Sequence, residues 1–243
     1  MVFASQGGKM KRIFLSVFIA ICIIIPCSLS LTACAKDNAI HVGSDLSLVD
    51  ALEQVENGGT IKLDDNLILD SEVVVDKKVT IDLNEHTISN TTDIWDDPDT
   101  TAASENDKWS LISIRENGNL TIKNGTLKAK ENDCYAIDVR YGGKLTVENG
   151  TYIGNISAIY VTQGEVIVNG GTFDVQQEDT RFDKGRFTLN AKDENAGNST
   201  IITVKGGKFA NFDPAEFLPT GYSATMEQTD LNGDVWYTVS KNN

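Results

Sequence analysis

The chain has 243 residues, with 35 Asp and Glu against 21 Lys and Arg, a formal net charge of −14, and four cysteines. That acidic balance excludes the basic stripes that nucleic acid or anionic lipid headgroups require, and it suits a soluble, self-repelling surface. The length fits one domain with a substantial core.

At the N-terminus Lys9, Lys11 and Arg12 precede the apolar run "IFLSVFIAICIIIPCSLS", which ends at "LTAC" over residues 31–34. A basic start, an apolar middle and small residues before a boundary predict a secretory signal over 1–33. An uncleaved membrane anchor is the alternative, because the run approaches bilayer-spanning length, although Pro26 interrupts it. "LTAC" resembles the lipobox of bacterial lipoproteins. The resemblance implies cleavage before Cys34 and acyl chains such as palmitate on that residue. Several chains on one residue hold a membrane firmly where a single chain does not. It places the protein on the extracytoplasmic side of a bacterial membrane, with 34–43 as a tether. Met10 is an alternative start. Cys22 and Cys27 leave with the signal, so Cys134 remains as a lone thiol. No histidine lies near it, and it reads as a small semi-buried residue.

Next comes "SLVDALEQVENGG". Ser47 caps a helix with Asp50 near the capping-box position, Leu48, Leu52 and Val55 form its apolar stripe, and Asn57-Gly58-Gly59 ends it. "VTIDLNEHTI" follows over residues 79–88. Then one phrase is written four times, as "LTIKNGTLKA", "LTVENGTYIG", "VIVNGGTFDV" and "ITVKGGKFAN", aligned on Gly125, Gly150, Gly171 and Gly207. Apolar residues two apart (Leu120/Ile122, Leu145/Val147, Val166/Val168, Ile202/Val204) predict strands with one buried face, and Asn-Gly or Gly-Gly supplies the bend. A third segment precedes each phrase: "LISIR", "AIDVR", "AIYVT" and "FTLN". Repeated β-units of this length predict a solenoid in which like stacks on like, Leu120 over Leu145 and Val166. The tail, 212–243, carries Pro214 and Pro219 and then a hairpin with "DLNGD" at its tip, which has too few ligand positions for a calcium loop.

These patterns resemble the right-handed parallel β-helix of the pectate-lyase-like superfamily. "VTIDLNEHTI" is similar to a common phrase there, with Glu85 in place of a glycine. The resemblance covers about 44–211. It implies an all-β, single-stranded right-handed parallel β-helix with a short N-terminal capping helix. The tail resembles the ending of bacterial surface β-helix proteins and implies a C-terminal capping hairpin plugged by Tyr222, Trp236 and Tyr237.

Alternation predicts two outward rows on the third strand of each unit. One is Ser113, Asp138, Tyr160 and Thr188; the other is Arg115, Arg140, Thr162 and Asn190. Long insertions at 91–109, 176–186 and 191–199 border this face, and long loops in a compact solenoid are often functional. Trp95 and Trp109 offer flat faces for sugar rings, and Arg115 and Arg140 could pair with uronate carboxylates. Either tryptophan could instead fold its loop onto the body, and the arginines with Asp138 could form a solvated charge ladder. Asp96, Asp97 and Asp99 could bind calcium or be an ordinary acidic loop. No catalytic set, metal site or cofactor is recognised. The aspartate cluster, Gly-His-Gly and Arg-Ile-Lys of the superfamily's polygalacturonases are absent, His86 lies in a turn and His41 in the tether. The expected function is a non-catalytic surface module that binds a glycan or cell-envelope partner through Trp95, Trp109, Arg115, Asp138, Arg140 and Tyr160. A calcium-dependent polysaccharide lyase and an adhesive or structural surface protein are the alternatives.

Overall fold

The computed structural model describes residues 38–96, 107–177, 187–191, 200–227, 229–231 and 233–242. The signal segment, Cys34, Asp97, Asp99 and most of the insertions at 176–186 and 191–199 lie outside the described residues. Among the described residues no helix is long and apolar enough to cross a membrane.

Strand β1 (Ile40–Val42) comes first, within the stretch expected to be a tether. It pairs parallel with the next strand, Val42 is buried, and His41 Nδ1 lies 2.8 Å from Asp64 Oδ1. Helix α1 (Leu48–Gln54) follows, capped as expected, with the Ser47 hydroxyl accepting from Asp50 N at 3.0 Å. It buries Leu48, Ala51 and Leu52. The helix ends at Val55, before Asn57-Gly58-Gly59, because Val55 turns to an extended conformation.

The chain then passes through three sheets in turn. The first round is β2 (Thr60–Leu63), β3 (Leu67–Leu69) and β4 (Val73–Val75), and the second is β5 (Lys78–Asp82), β6 (Thr87–Asn90) and β7 (Ser110–Arg115). The third is β8 (Asn119–Lys123), β9 (Thr126–Lys128) and β10 (Tyr135–Arg140), and the fourth is β11 (Gly143–Val147), β12 (Thr151–Gly154) and β13 (Ile159–Val161). The fifth is β14 (Gly164–Val168), β15 (Thr172–Val175) and β16 (Leu189–Ala191), and β17 (Thr200–Val204) with β18 (Gly207–Ala210) begins a sixth. Each sheet collects one strand from every round, in the orders β1-β2-β5-β8-β11-β14-β17, β3-β6-β9-β12-β15-β18 and β4-β7-β10-β13-β16. All pairings between rounds are parallel. The protein is therefore all-β, built of parallel sheets and closed at its end by an antiparallel hairpin.

The register shows what the repeated phrase does. Val79, Leu120, Leu145, Val166 and Ile202 align across the first sheet, and Ile81, Ile122, Val147, Val168 and Val204 align beside them. Leu127, Tyr152, Phe173 and Phe209 form a third column, in which the Tyr152–Phe173 and Phe173–Phe209 rings stack at 5.2 and 4.9 Å. Each such side chain, fully buried, contributes on the order of 1.5–3 kcal/mol. The glycine column permits the close approach: at Gly150, φ is +110° and a Cβ would lie 2.7 Å from the Gly125 carbonyl oxygen. The phrase is scaffold.

At the C-terminus β19 (Tyr222–Met226) pairs antiparallel with β20 (Trp236–Lys241), and β20 covers the edge of β18. The plug matches the expected one at Tyr222 and differs from it at Trp236 and Tyr237. Phe212, Phe217, Leu218 and Tyr222 pack against the core and Val239 is buried. Trp236 is half-buried and its Nε1 donates instead to Asp230 Oδ2 at 3.0 Å, while Tyr237 is half-buried opposite Phe209.

Candidate functional site

The insertion between β6 and β7 is held at both legs by buried carboxylates. Asn90, the last residue of β6, is buried, and its Nδ2 donates to Asp133 Oδ2 at 2.5 Å and to Thr92 O at 2.8 Å. Asp133 also accepts from Ile94 N at 3.0 Å and from Trp95 N at 2.9 Å. Lys130 Nζ meets Asp93 Oδ1 at 2.6 Å on the outside. On the returning leg, Glu72 Oε1 accepts from Trp109 N at 3.0 Å and Ser110 N at 3.2 Å. Between the legs, Asp96 and Lys108 exchange backbone hydrogen bonds of 3.0 and 3.3 Å and close a neck. A carboxylate that accepts several backbone N–H groups fixes the chain more firmly than one exposed ion pair does.

Behind the returning leg lies a buried ionic cluster. Asp138 Oδ2 accepts from Ser113 Oγ at 3.1 Å and is ion-paired with Arg140, whose Nε lies 3.1 Å away and donates to Ser113 Oγ at 3.4 Å. Arg115 donates to Glu72 Oε2 and, through Nε, to Ser113 Oγ at 2.8 Å. Arg140 donates to the Asp107 carbonyl, and its guanidinium carbon sits 4.6 Å from the Trp109 ring centre, a desolvated cation–π contact. Burial, with the Asp138 charge second, pushes the Glu72 carboxyl up to about 7 despite the Trp109 N–H and both arginines. Burial likewise raises Asp138, against Arg140 and its serine partners. The Ser110 hydroxyl has one hydrogen but lies 2.5 Å from Asp138 Oδ1 and 2.8 Å from Ile112 O. With a proton on Asp138, both contacts become hydrogen bonds, because Asp138 donates to Ser110 and Ser110 to Ile112.

Four aromatic rings lie on the outer side of the cluster. Trp95 and Trp109 stack with centroids 6.5 Å apart, Trp95 meets Tyr135 edge-on at 5.3 Å, and Tyr160 contacts Trp109 at 5.8 Å and Tyr135 at 4.8 Å. Trp109 and Tyr135 are 8% and 5% exposed, whereas Trp95 is 37% exposed. Trp95 and Tyr135 wall a cavity of about 310 Å³ with Asp93, Asn132, Asp133, Asn155 and Ile156.

The expected site is thus partly assembled and partly displaced. Ser113, Asp138 and Tyr160 align as expected, as do Arg115 and Arg140. Asn190, however, stands in the row of Tyr160, and Thr188 is buried with its hydroxyl on Ala210 O, so the fifth round lies two residues away from the expected register. The larger correction concerns exposure. Asp138 and Arg140 do point away from the apolar interior, but each is 1% exposed, and Arg115 is largely covered. The leg carrying Trp109, together with Glu72, roofs this face, so Arg115 and Arg140 are engaged internally and do not present themselves to uronates. Trp109 folds onto the body; Trp95 keeps an open face. Cys134 is fully buried rather than semi-buried, which drives its thiol well above the ordinary range. Among the described residues no group of His, Cys, Asp and Glu is arranged to hold a metal ion.

Glu72, Ser110, Asp133, Tyr135 and Asn155 were not singled out from the sequence. For Glu72 a signal existed: "SEVVV" has Val73 and Val75 in phase for a strand, which puts Glu72 on the same face as Ser113 and Asp138. Asp133 and Asn155 lie in turns without periodicity and left none. No protein-family model, curated protein or solved structure matches this chain.

Proposed function

We propose that the chain is a lipid-anchored bacterial surface protein, acylated at Cys34, whose body is a right-handed parallel β-helix acting as a non-catalytic glycan-binding module. The cyclic order of three parallel sheets supports the β-helix, and the near-universal right hand of parallel crossovers supports its handedness. "LTAC" after an apolar run supports the anchor. The glycan site is the cavity at Trp95, not the Arg115/Arg140 face.

One observation carries this reading. A partly exposed tryptophan stands over a cavity and is held from behind by Trp109 and Tyr135, while its own backbone N–H is fixed by buried Asp133. Preorganised aromatic faces are the usual means of stacking on a sugar ring, and rigidity lowers the ordering cost of binding. A lyase would need a base reachable by its substrate, and the burial of Arg140 among Glu72, Asp138 and Trp109 favours the non-catalytic reading over it. The test is native affinity electrophoresis of the full-length chain in detergent through gels containing different polysaccharides, with and without calcium. Selective retardation that disappears in Trp95→Ala is expected. A cleared zone around the band would establish the lyase instead, and uniform migration in every gel would leave the adhesive alternative.

A further inference from the structure

Among the described residues, the cavity at Trp95 is rich in acceptors and poor in free cations. Asp133 has both carboxylate oxygens occupied by Asn90 Nδ2 and by the N–H groups of Ile94 and Trp95. Asn132 Oδ1 accepts from Gln177 Nε2. Asn155 Nδ2 donates to Asp133 O at 3.2 Å, which turns its Oδ1 away from that carbonyl. This Oδ1 is buried and has no hydrogen-bond partner. An acceptor buried in this state favours a ligand that brings a donor. Two carboxylates, Asp93 and Asp133, line the same cavity, and Lys130 is paired with Asp93 at 2.6 Å. Arg115 and Arg140 lie in the cluster behind Trp109, bound to Glu72 and Asp138.

Resting on the glycan reading, we propose that this cavity takes a neutral, hydroxyl-rich sugar ring, stacked on Trp95 with one hydroxyl donated to Asn155 Oδ1, and that it rejects uronates. A ring hydroxyl supplies the missing donor. A uronate carboxylate would stand beside Asp93 and Asp133 with Arg115 and Arg140, the guanidiniums nearest among the described residues, already paired to Glu72 and Asp138, and like charges at such range repel. The size agrees: about 310 Å³ is at the small end of ligand cavities and accommodates one ring rather than a long chain segment.

The test is a titration of the full-length chain in detergent, followed by tryptophan fluorescence and calorimetry. The probes are neutral glucan, galactan and mannan oligosaccharides, with polygalacturonate oligosaccharides as the charged series. At least one neutral series is expected to bind and to perturb the fluorescence. Trp95→Ala and Asn155→Leu should each weaken it about tenfold while the thermal transition remains cooperative. Trp95-dependent binding of polygalacturonate equal to the neutral series would overturn the inference and leave the glycan reading standing. Neutral-sugar binding untouched by either substitution would overturn it by moving the site elsewhere. Failure of every sugar to bind would overturn both. A folded Asn155→Ala variant, which removes the acceptor without adding bulk, keeps the outcome decisive if Asn155→Leu does not fold, and it should also lose affinity.

Discussion

Raising the pH should weaken this protein through one buried residue, Glu72. Its side chain is 2% exposed and faces Asp138, Arg115, Arg140 and, farther away, Cys134. Its carboxyl is pushed from 4.5 to about 7, first by burial and then by the Asp138 charge. A group whose folded pKa lies above its unfolded one holds more protons in the native state, so its stabilisation is full below pH 4.5 and is lost as pH climbs through 7. The difference corresponds to about 3 kcal/mol. Asp138 is shifted in the same direction and adds to the slope. Glu72→Gln keeps an acceptor for the Trp109 and Ser110 N–H groups but cannot ionise. Urea unfolding, followed by tryptophan fluorescence between pH 4.5 and 8.5, gives the stability of both proteins on a common scale. Wild type minus variant should fall by about 3 kcal/mol across that range, since the many exposed carboxylates cancel in the difference. A difference that stays flat, or that rises with pH, would refute the reasoning from burial and show that the two arginines dominate Glu72.

Three further outcomes can be checked by thermal or denaturant unfolding. Glu85 sits at φ 67° after Asn84 at φ 48°, both left-handed, so Glu85→Gly should stabilise by about 1 kcal/mol and raise Tm by roughly 2–4 °C. Phe173→Ala removes the middle ring of the Tyr152–Phe173–Phe209 stack and should cost about 3–5 kcal/mol, whereas Thr172→Ala, at the half-buried corner, should stay within about 0.5 kcal/mol. Gly154→Ala would place its Cβ 1.7 Å from the Ser157 carbonyl oxygen and should abolish cooperative folding, while Gly206→Ala, at 2.3 Å from the Asn169 carbonyl oxygen, should be damaging to a smaller degree.

The rounds were legible because their cause is local and repeated: apolar residues two apart, a bend at Asn-Gly, and the same order each time. Hence Leu120, Leu145 and Val166 could be aligned from the sequence, and the structure stacks them that way. The first round, through "LILDSEVVV", lacks the phrase, so neither that round nor Glu72 is legible from the repeat. The direction of Asp138 and Arg140 was also legible, because alternation fixes which side of a strand a residue takes. Their burial was not. Periodicity describes one strand, whereas the cover over this face arrives from an insertion and from the first round, contacts 33 to 68 residues away in the chain. The shift of Asn190 has a similar origin, since "FTLN" follows a long insertion whose sequence carries no repeat phrase to fix the register.

The closed neck between Asp96 and Lys108 separates two kinds of sequence. On one side the glycine columns and buried carboxylates tolerate little change. On the other, the chain leaves at Asp96 and returns at Lys108, two residues joined by their own backbone bonds and flanked by the Asp133 anchor on Trp95 N and the Glu72 anchor on Trp109 N. Doubling the length of such a segment costs only about 0.6 kcal/mol of closure entropy. The neck is therefore a natural acceptor for foreign peptide, where a displayed epitope or a lineage-specific loop can be exchanged while Trp95 and the stacked rounds stay as they are.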